Sequence, residues 1–192
     1  VLDGGGTVRV LICDSGEGPE TRLENLAITN GFAPSGGGME INNAAPTLVN
    51  CRFEGNNANN GGAVYVRGSG SDAEFLACLF IGNVAANNGG ALYVRQANAP
   101  LFSLTVFGNN TATNSGSVLA NFGSAEPEIG LSVICGNGSD SFFGPWSDEG
   151  GNCVSDSCGD SDGDGSPDSC SDGSCTGRRG SAPVGVGLVG CD

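Results

Sequence analysis

Between residues 159 and 172 the chain reads GDSDGDGSPDSCSD, with Asp160, Asp162 and Asp164 on alternate positions, Gly165 next, and Asp168 after a further gap. A hard divalent cation needs several oxygens converging on it. Carboxylates at the first, third, fifth and ninth places of a loop supply them, with the carbonyl of Ser166 at the seventh and a glycine allowing the sharp turn. The pattern predicts calcium binding. It departs from the full loop at the twelfth place, which is Ser171, with Asp172 one place late. The plainer alternative is a solvated acidic linker.

A second group of candidates lies in two copies of YVR, Tyr65 to Arg67 and Tyr93 to Arg95. Two guanidinium groups one repeat apart repel unless an anion or a carboxylate lies between them. The chemical reading is a contact to an anionic sugar through Tyr65, Arg67, Tyr93 and Arg95; the structural one is pairing of the arginines with Asp72 or Glu74. Polysaccharide cleavage would need clustered carboxylates beside a base. Glu40, Glu54, Asp72 and Glu74 fall on different strands or turns, and the chain has neither His nor Lys, so the sequence argues against an enzyme. NNT at Asn109 and NGS at Asn137 have the form of glycosylation sequons. Both also sit at a repeated corner that explains them without a glycan.

The composition narrows the partners. There are 35 Gly, 21 acidic against 7 basic residues, and a formal charge of −14. Such a polyanion repels phosphate backbones, so nucleic acid and anionic membrane surfaces are poor partners. No apolar run approaches the ~20 residues of a membrane span, and VLDGGGTVRV lacks the basic and apolar regions of a secretion signal. That start reads as a chain processed or excised from something longer. Nine cysteines point to an oxidising compartment, outside the cell or on its surface. CVSDSC and CSDGSC lack the two-residue spacing of zinc knuckles. Nine is odd, which leaves at least one thiol free, bonded to another chain, or bound to something else.

What must position these residues is a repeat. GGGMEI then TLVNCRFEGN, GGAVYV then EFLACLFIGN, GGALYV then LFSLTVFGNN, and SGSVLANF then EIGLSVICGN follow one order: glycine corner, strand, turn, strand, asparagine corner. An earlier, degenerate unit runs from GTVRVLI to LENLAITNG. Glycines 36, 61, 89 and 116 step by 25, 28 and 27; Ile28, Phe53, Phe80, Phe107 and Cys135 step by 25, 27, 27 and 28. Within a unit the apolar residues alternate, which is the strand period. Strands this short cannot hide an apolar side alone, so each unit must be a coil stacked on the next. Stacking predicts ladders of like residues ~4.8 Å apart: Met39, Val64, Leu92 and Leu119 inside, Phe53, Phe80 and Phe107 inside, Tyr65 and Tyr93 outside. Asn56, Asn83, Asn109 or Asn110, and Asn137 mark the corner, each amide bonding its copy above and below. Cys51 and Cys78 occupy matching places as a buried thiol pair or a rung-to-rung disulfide.

The pairing of GGA(V/L) with FxGN or FGNN resembles the GGA[I/L/V] and FxxN repeats of the polymorphic outer membrane proteins. DGGG…LENLAITNG…TLVNC is similar to bacterial secreted right-handed parallel β-helix proteins of pectin-lyase-like shape. The Asp-rich segment resembles the calcium repeats of thrombospondin type 3 and dockerin-like proteins. The first two resemblances cover roughly residues 1 to 145 and imply a right-handed, single-stranded parallel β-helix of about five coils. The sequence therefore predicts an all-β chain with a β-helix over 1–150 and an irregular, disulfide-stapled, calcium-binding tail over 151–192. Its expected role is a structural or adhesive module outside the cell or on its surface. The partners would be surface components, glycans or other copies of itself, with SAPVGVGLVGCD free to pair with a neighbour's strand edge and make a filament. Carbohydrate binding or cleavage on the outer face is the alternative. A flat ice-binding plane fits poorly, because the outer positions Glu40, Tyr65, Tyr93 and Ala120 differ in kind.

Overall fold

The computed structural model describes residues 1–96, 99–124 and 126–155, together with the backbone of residues 175 and 176. Over these the chain is all-β, with parallel strands stacked as a β-solenoid of about five turns. A full coil has four strands. In the third coil they are Val64–Arg67, Glu74–Leu76, Leu79–Ile81 and Val84–Asn88. Each pairs in parallel with its counterparts in the coils below and above. Stacking generates four sheets, here called the tyrosine face, the second face, the phenylalanine face and the asparagine face after those four strands in turn. Three sheets continue past the last full coil, through Phe142–Phe143, Ser147–Gly150 and Asn152–Ser155.

Two strands per unit were expected; the second of them is two strands on two sheets, Glu74–Leu76 and Leu79–Ile81 in the third coil, and the asparagine corner proves to be a strand as well. Asn57–Asn60 pairs with Phe32–Ser35 on one side and Val84–Asn88 on the other. Asparagine is a poor strand former, but ladder hydrogen bonds to the coils on both sides override a weak local preference. The repeated glycines are the sharp corners between this sheet and the next. Gly61, for example, has φ 63°, where an L side chain is strained.

The interior is a set of ring and aliphatic stacks. Phe53 and Phe80 are parallel at 4.8 Å between centroids, and Phe80 and Phe107 stack at 5.2 Å. A second stack, Phe75 on Phe102 at 4.7 Å, rises beside it and meets it edge to face. Leu48 and Ile129 extend that second stack in register. All five rings are fully buried. Val64 pairs with Met39 and Leu92, and Leu92 with Leu119, as the repeat requires. One register differs from expectation: the residue above Phe107 is Ile134, not Cys135. The unit spacing is preserved at 27, and Cys135 turns to the outside of the sheet.

At the asparagine corner the core holds its polar groups with copies of one side chain. Asn56, Asn83, Asn110 and Asn137 are buried one above another. The Nδ2 of Asn56 donates to Oδ1 of Asn83 at 3.0 Å, Asn83 to Asn110 at 3.0 Å, and Asn110 to Asn137 at 3.1 Å. The Oδ1 of Asn83, Asn110 and Asn137 each also accepts the backbone N–H of the asparagine below, that of Asn56 accepts the N–H of Gly31, and each Nδ2 reaches a carbonyl such as Phe53 O. Asn110, not Asn109, is the member of this ladder. A second inner column runs Cys51, Cys78, Thr105, Ser132, in which a small donor bonds a carbonyl of its own or the neighbouring coil. Cys51 and Cys78 are therefore free thiols acting as buried donors, and no disulfide joins them.

Candidate functional site

With the inner ladders closed on themselves, chemistry toward a partner has to come from outward positions. On the tyrosine face Val64 and Val66 point inward, so Tyr65 and Arg67 point out. The outward column through Tyr65 reads, in register, Ile12, Glu40, Tyr65, Tyr93, Ala120 and Phe143. Alanine at the fifth rung leaves a gap between the rings of Tyr93 and Phe143. Phe122, two residues further along, fills it: its centroid lies 5.2 Å from Tyr93 and 4.9 Å from Phe143. With Tyr65 to Tyr93 at 5.4 Å, four rings form one external ladder.

This ladder is graded. Tyr65 is 8% exposed, whereas Phe122 and Phe143 are 48% and 41% exposed. The rings turn toward one another, at 44°, 26° and 34° between successive planes. Burial pushes the Tyr93 phenol upward; the nearby Tyr65 adds to this and Arg95 opposes it. The lower end of the column is ionic. Glu40 is buried below Tyr65, with Oε2 at 2.6 Å from Arg9 Nη1 and Oε1 at 2.7 Å from Arg67 Nε. Arg9 is itself fixed by the carbonyls of Ser35 and Gly36.

The expected partner of Arg67 was Asp72 or Glu74, and the structure gives Glu40 in the coil below. Asp72 is engaged elsewhere, accepting the backbone N–H of Ala99 at 3.1 Å. Arg95 lies in register one rung above Arg67. The carboxylates considered for catalysis are on separate sheets: Glu40 on the tyrosine face, Glu74 on the second, and Glu54 on the phenylalanine face, where it pairs with Arg52. Among the described residues no group of three or more Asp, Glu, Cys or His is placed to hold a metal ion. The calcium candidates Asp160, Asp162, Asp164, Ser166 and Asp168 lie outside the described residues.

The two sequons separate. Asn109 is exposed, with φ 54°. Asn137 is 5% exposed, and its Nδ2 donates to Phe107 O and Cys135 O at 2.8 Å. A glycan on that nitrogen would have to break the top of the asparagine ladder, so Asn137 is withdrawn as a glycan site. The sequence reading missed Phe122 because it lies two residues off the repeat position, and Phe143 because its rung follows Ala120 by 23 residues, short of the 25 to 28 of the other units. The signal that could have found them is Ala120, small at the rung where the column should carry a ring.

No helix among the described residues is long and apolar enough to cross a membrane. Residues 50–67 and 77–95 match the sequence model of the Chlamydia polymorphic membrane protein repeat. Each match runs from the phenylalanine face through the asparagine corner to the arginine ending YVR. No curated protein and no solved structure matches the chain.

Proposed function

We propose that this β-helix of polymorphic-membrane-protein type is a non-enzymatic structural and adhesive module of an outer-membrane or cell-surface protein. The repeat match supports a surface setting, since the family it names is one of membrane proteins. The observation that carries adhesion is the half-exposed upper end of the external ring ladder, Phe122 and Phe143. Exposed aromatic rings on a flat sheet are the sort of surface a partner covers. Surface components are the natural partners, and a highly acidic rod excludes nucleic acid from that role.

Carbohydrate binding is the narrower alternative, and the ladder geometry weighs against its simplest form. A sugar stacks on a ring face, and Tyr93 and Phe122 each have a ring neighbour on both sides, which leaves the end ring Phe143 as the candidate. Arg67 is likewise committed to Glu40. Calcium belongs to the proposal through Asp160, Asp162, Asp164, Ser166 and Asp168, read by equilibrium dialysis of the chain and its Asp162→Asn, Asp164→Asn variant. End-to-end assembly into a filament was motivated partly by the odd cysteine. Among the described residues Cys13, Cys51 and Cys78 are buried free thiols, so an odd cysteine count does not by itself call for a bond to another chain.

The test of adhesion is adherence of the purified chain to cultured cells and to a glycan array, beside its Phe122→Ser, Phe143→Ser variant. Loss of cell adherence by the variant with its melting point nearly kept is the expected result. Undiminished adherence moves the site to another face.

A further inference from the structure

The phenylalanine face has an outer side whose character changes along the rod. Phe53, Phe80, Phe107 and Ile134 point in, so the residues flanking each of them point out. Low on the rod these are Arg52 and Glu54, an ion pair with both side chains a third or more exposed. Higher up the same two columns hold Leu79 and Ile81, then Val106 and Gly108, Val133 and Cys135, and Cys153. Val106, Val133, Cys135 and Cys153 are only 6%, 7%, 2% and 3% exposed, and they cluster with Leu79 and Ile81. All six stand on one side of one sheet. Side chains standing next to each other on a flat sheet leave their tips open, so a further layer must lie over them.

We propose that this layer is the chain's own C-terminal segment, residues 156–192, docked on the outer phenylalanine face and stapled there through Cys135 and Cys153. Both cysteines are disulfide-bonded. They are not each other's natural partner: Cys135 pairs in register with Ser155 and Cys153 with Val133, which sets them diagonally. Strands ~4.8 Å apart and a two-residue offset of ~6.6 Å put the Cα atoms about 8 Å apart, beyond the ~7 Å that a disulfide spans. Cys13, Cys51 and Cys78 are free. The partners are then among Cys158, Cys170, Cys175 and Cys191. Independently, Cys175–Thr176 pairs antiparallel with Asn152–Cys153, which returns the chain to this same sheet.

Within the segment one stretch suits an apolar seat. Residues 182–190, APVGVGLVG, carry no charge, whereas 159–172 are strongly acidic. Laid over Leu79, Val106 and Val133, that stretch is withdrawn from pairing with another chain's strand edge. The docked tail is then a device against end-to-end association, and it does not depend on the adhesive reading.

Two measurements on the full chain test this. The first is a non-reducing peptide map. Cys135 and Cys153 should each be linked to one of Cys158, Cys170, Cys175 and Cys191 of the same chain, with Cys13, Cys51 and Cys78 alkylated as thiols only after unfolding. A Cys135–Cys153 link, a free thiol at either position, or a link to a second chain overturns the proposal. The second is the Val186→Asp, Leu188→Asp variant, altered only in the tail. It should bind a hydrophobic dye severalfold more strongly and exchange amide protons faster in 106–108 and 133–135. An unchanged dye signal and exchange pattern overturns the docking even where the disulfide map is as expected.

Discussion

Two columns run the length of this rod and obey the same stacking rule with opposite results. The inner one repeats asparagine four times, at Asn56, Asn83, Asn110 and Asn137. The outer one changes at nearly every rung, from Ile12 through Glu40, Tyr65 and Tyr93 to Ala120 and Phe143. Inside, each side chain must satisfy atoms whose positions the backbone fixes, namely a carbonyl below, an N–H and its own copy, and only one residue type does all three. Outside, solvent satisfies whatever the neighbours do not. The inner column therefore specifies the coil, and the outer column is free to specify a partner.

The largest expected effect comes from breaking the inner column once. Asn83→Ala would leave the N–H of Asn56 and the carbonyl of Phe53 short of partners, and Nδ2 of Asn56 and Oδ1 of Asn110 short of one each. At ~1–3 kcal/mol for each buried group left unsatisfied, the cost is about 4 kcal/mol, or roughly 10 °C in melting temperature. The external control is Asn60, whose Oδ1 accepts from Asn88 Nδ2 at 3.2 Å in a half-buried place. Asn60→Ala should cost less than about 0.5 kcal/mol, because water replaces the lost bond. Equal melting points for the two variants would mean that burial does not distinguish the columns.

A middle-sized effect belongs to Cys13, which sits at an inner position of the tyrosine face in register with Ile41. Burial, assisted by Glu17 and then Asp14, pushes its thiol from near 9 up to about 11. A thiol harder to ionise when folded contributes stability that is present below pH 9 and lost as pH rises through 11, because the unfolded chain ionises first. The loss approaches about 2 kcal/mol. Denaturant titrations at pH 8.5 and 11 should show a smaller alkaline loss in Cys13→Ala than in the native chain, the remainder coming from Tyr93 and Cys78, which burial and their neighbours also make harder to ionise. A variant that weakens just as much at pH 11 would assign the alkaline loss to other groups.

How much of this was legible follows the same division. The rungs Val64 to Leu92 and Phe53 to Phe80 to Phe107 were read from spacing alone, as was the asparagine ladder, because an interior position tolerates one chemistry and the sequence must repeat it. Phe75 on Phe102 was equally periodic, 27 residues apart, but lay hidden in short apolar runs. The asparagine face was missed as a strand because local preference argues against it and only stacking overrides that. The slip of one residue at Ile134 came from aligning a cysteine on a phenylalanine, and it concealed the outward direction of Cys135. The Glu40 bridge to Arg9 and Arg67 joins three coils without any repeat, and no spacing rule announces it.

The smallest expected effect on stability is at the upper end of the external ladder, and there the contrast with the core is sharpest. Phe80 and Phe122 each have a ring on either side in their columns, at 4.8 and 5.2 Å for Phe80 and at 5.2 and 4.9 Å for Phe122, and Phe80 also meets Phe75 and Phe102 edge to face. If ring stacking alone set the energy, truncating either would cost the same. Phe80 is fully buried, so Phe80→Ala opens a cavity and should cost about 4 kcal/mol. Phe122 is about half exposed, so Phe122→Ala leaves no closed void and should cost about 1 kcal/mol, the share owed to ring contacts and partial burial. Chemical denaturation of the two variants decides it. A cost at Phe122 close to that at Phe80 would make the external ladder a structural element, and its rings would then be held in place by the rod itself instead of being available to a partner.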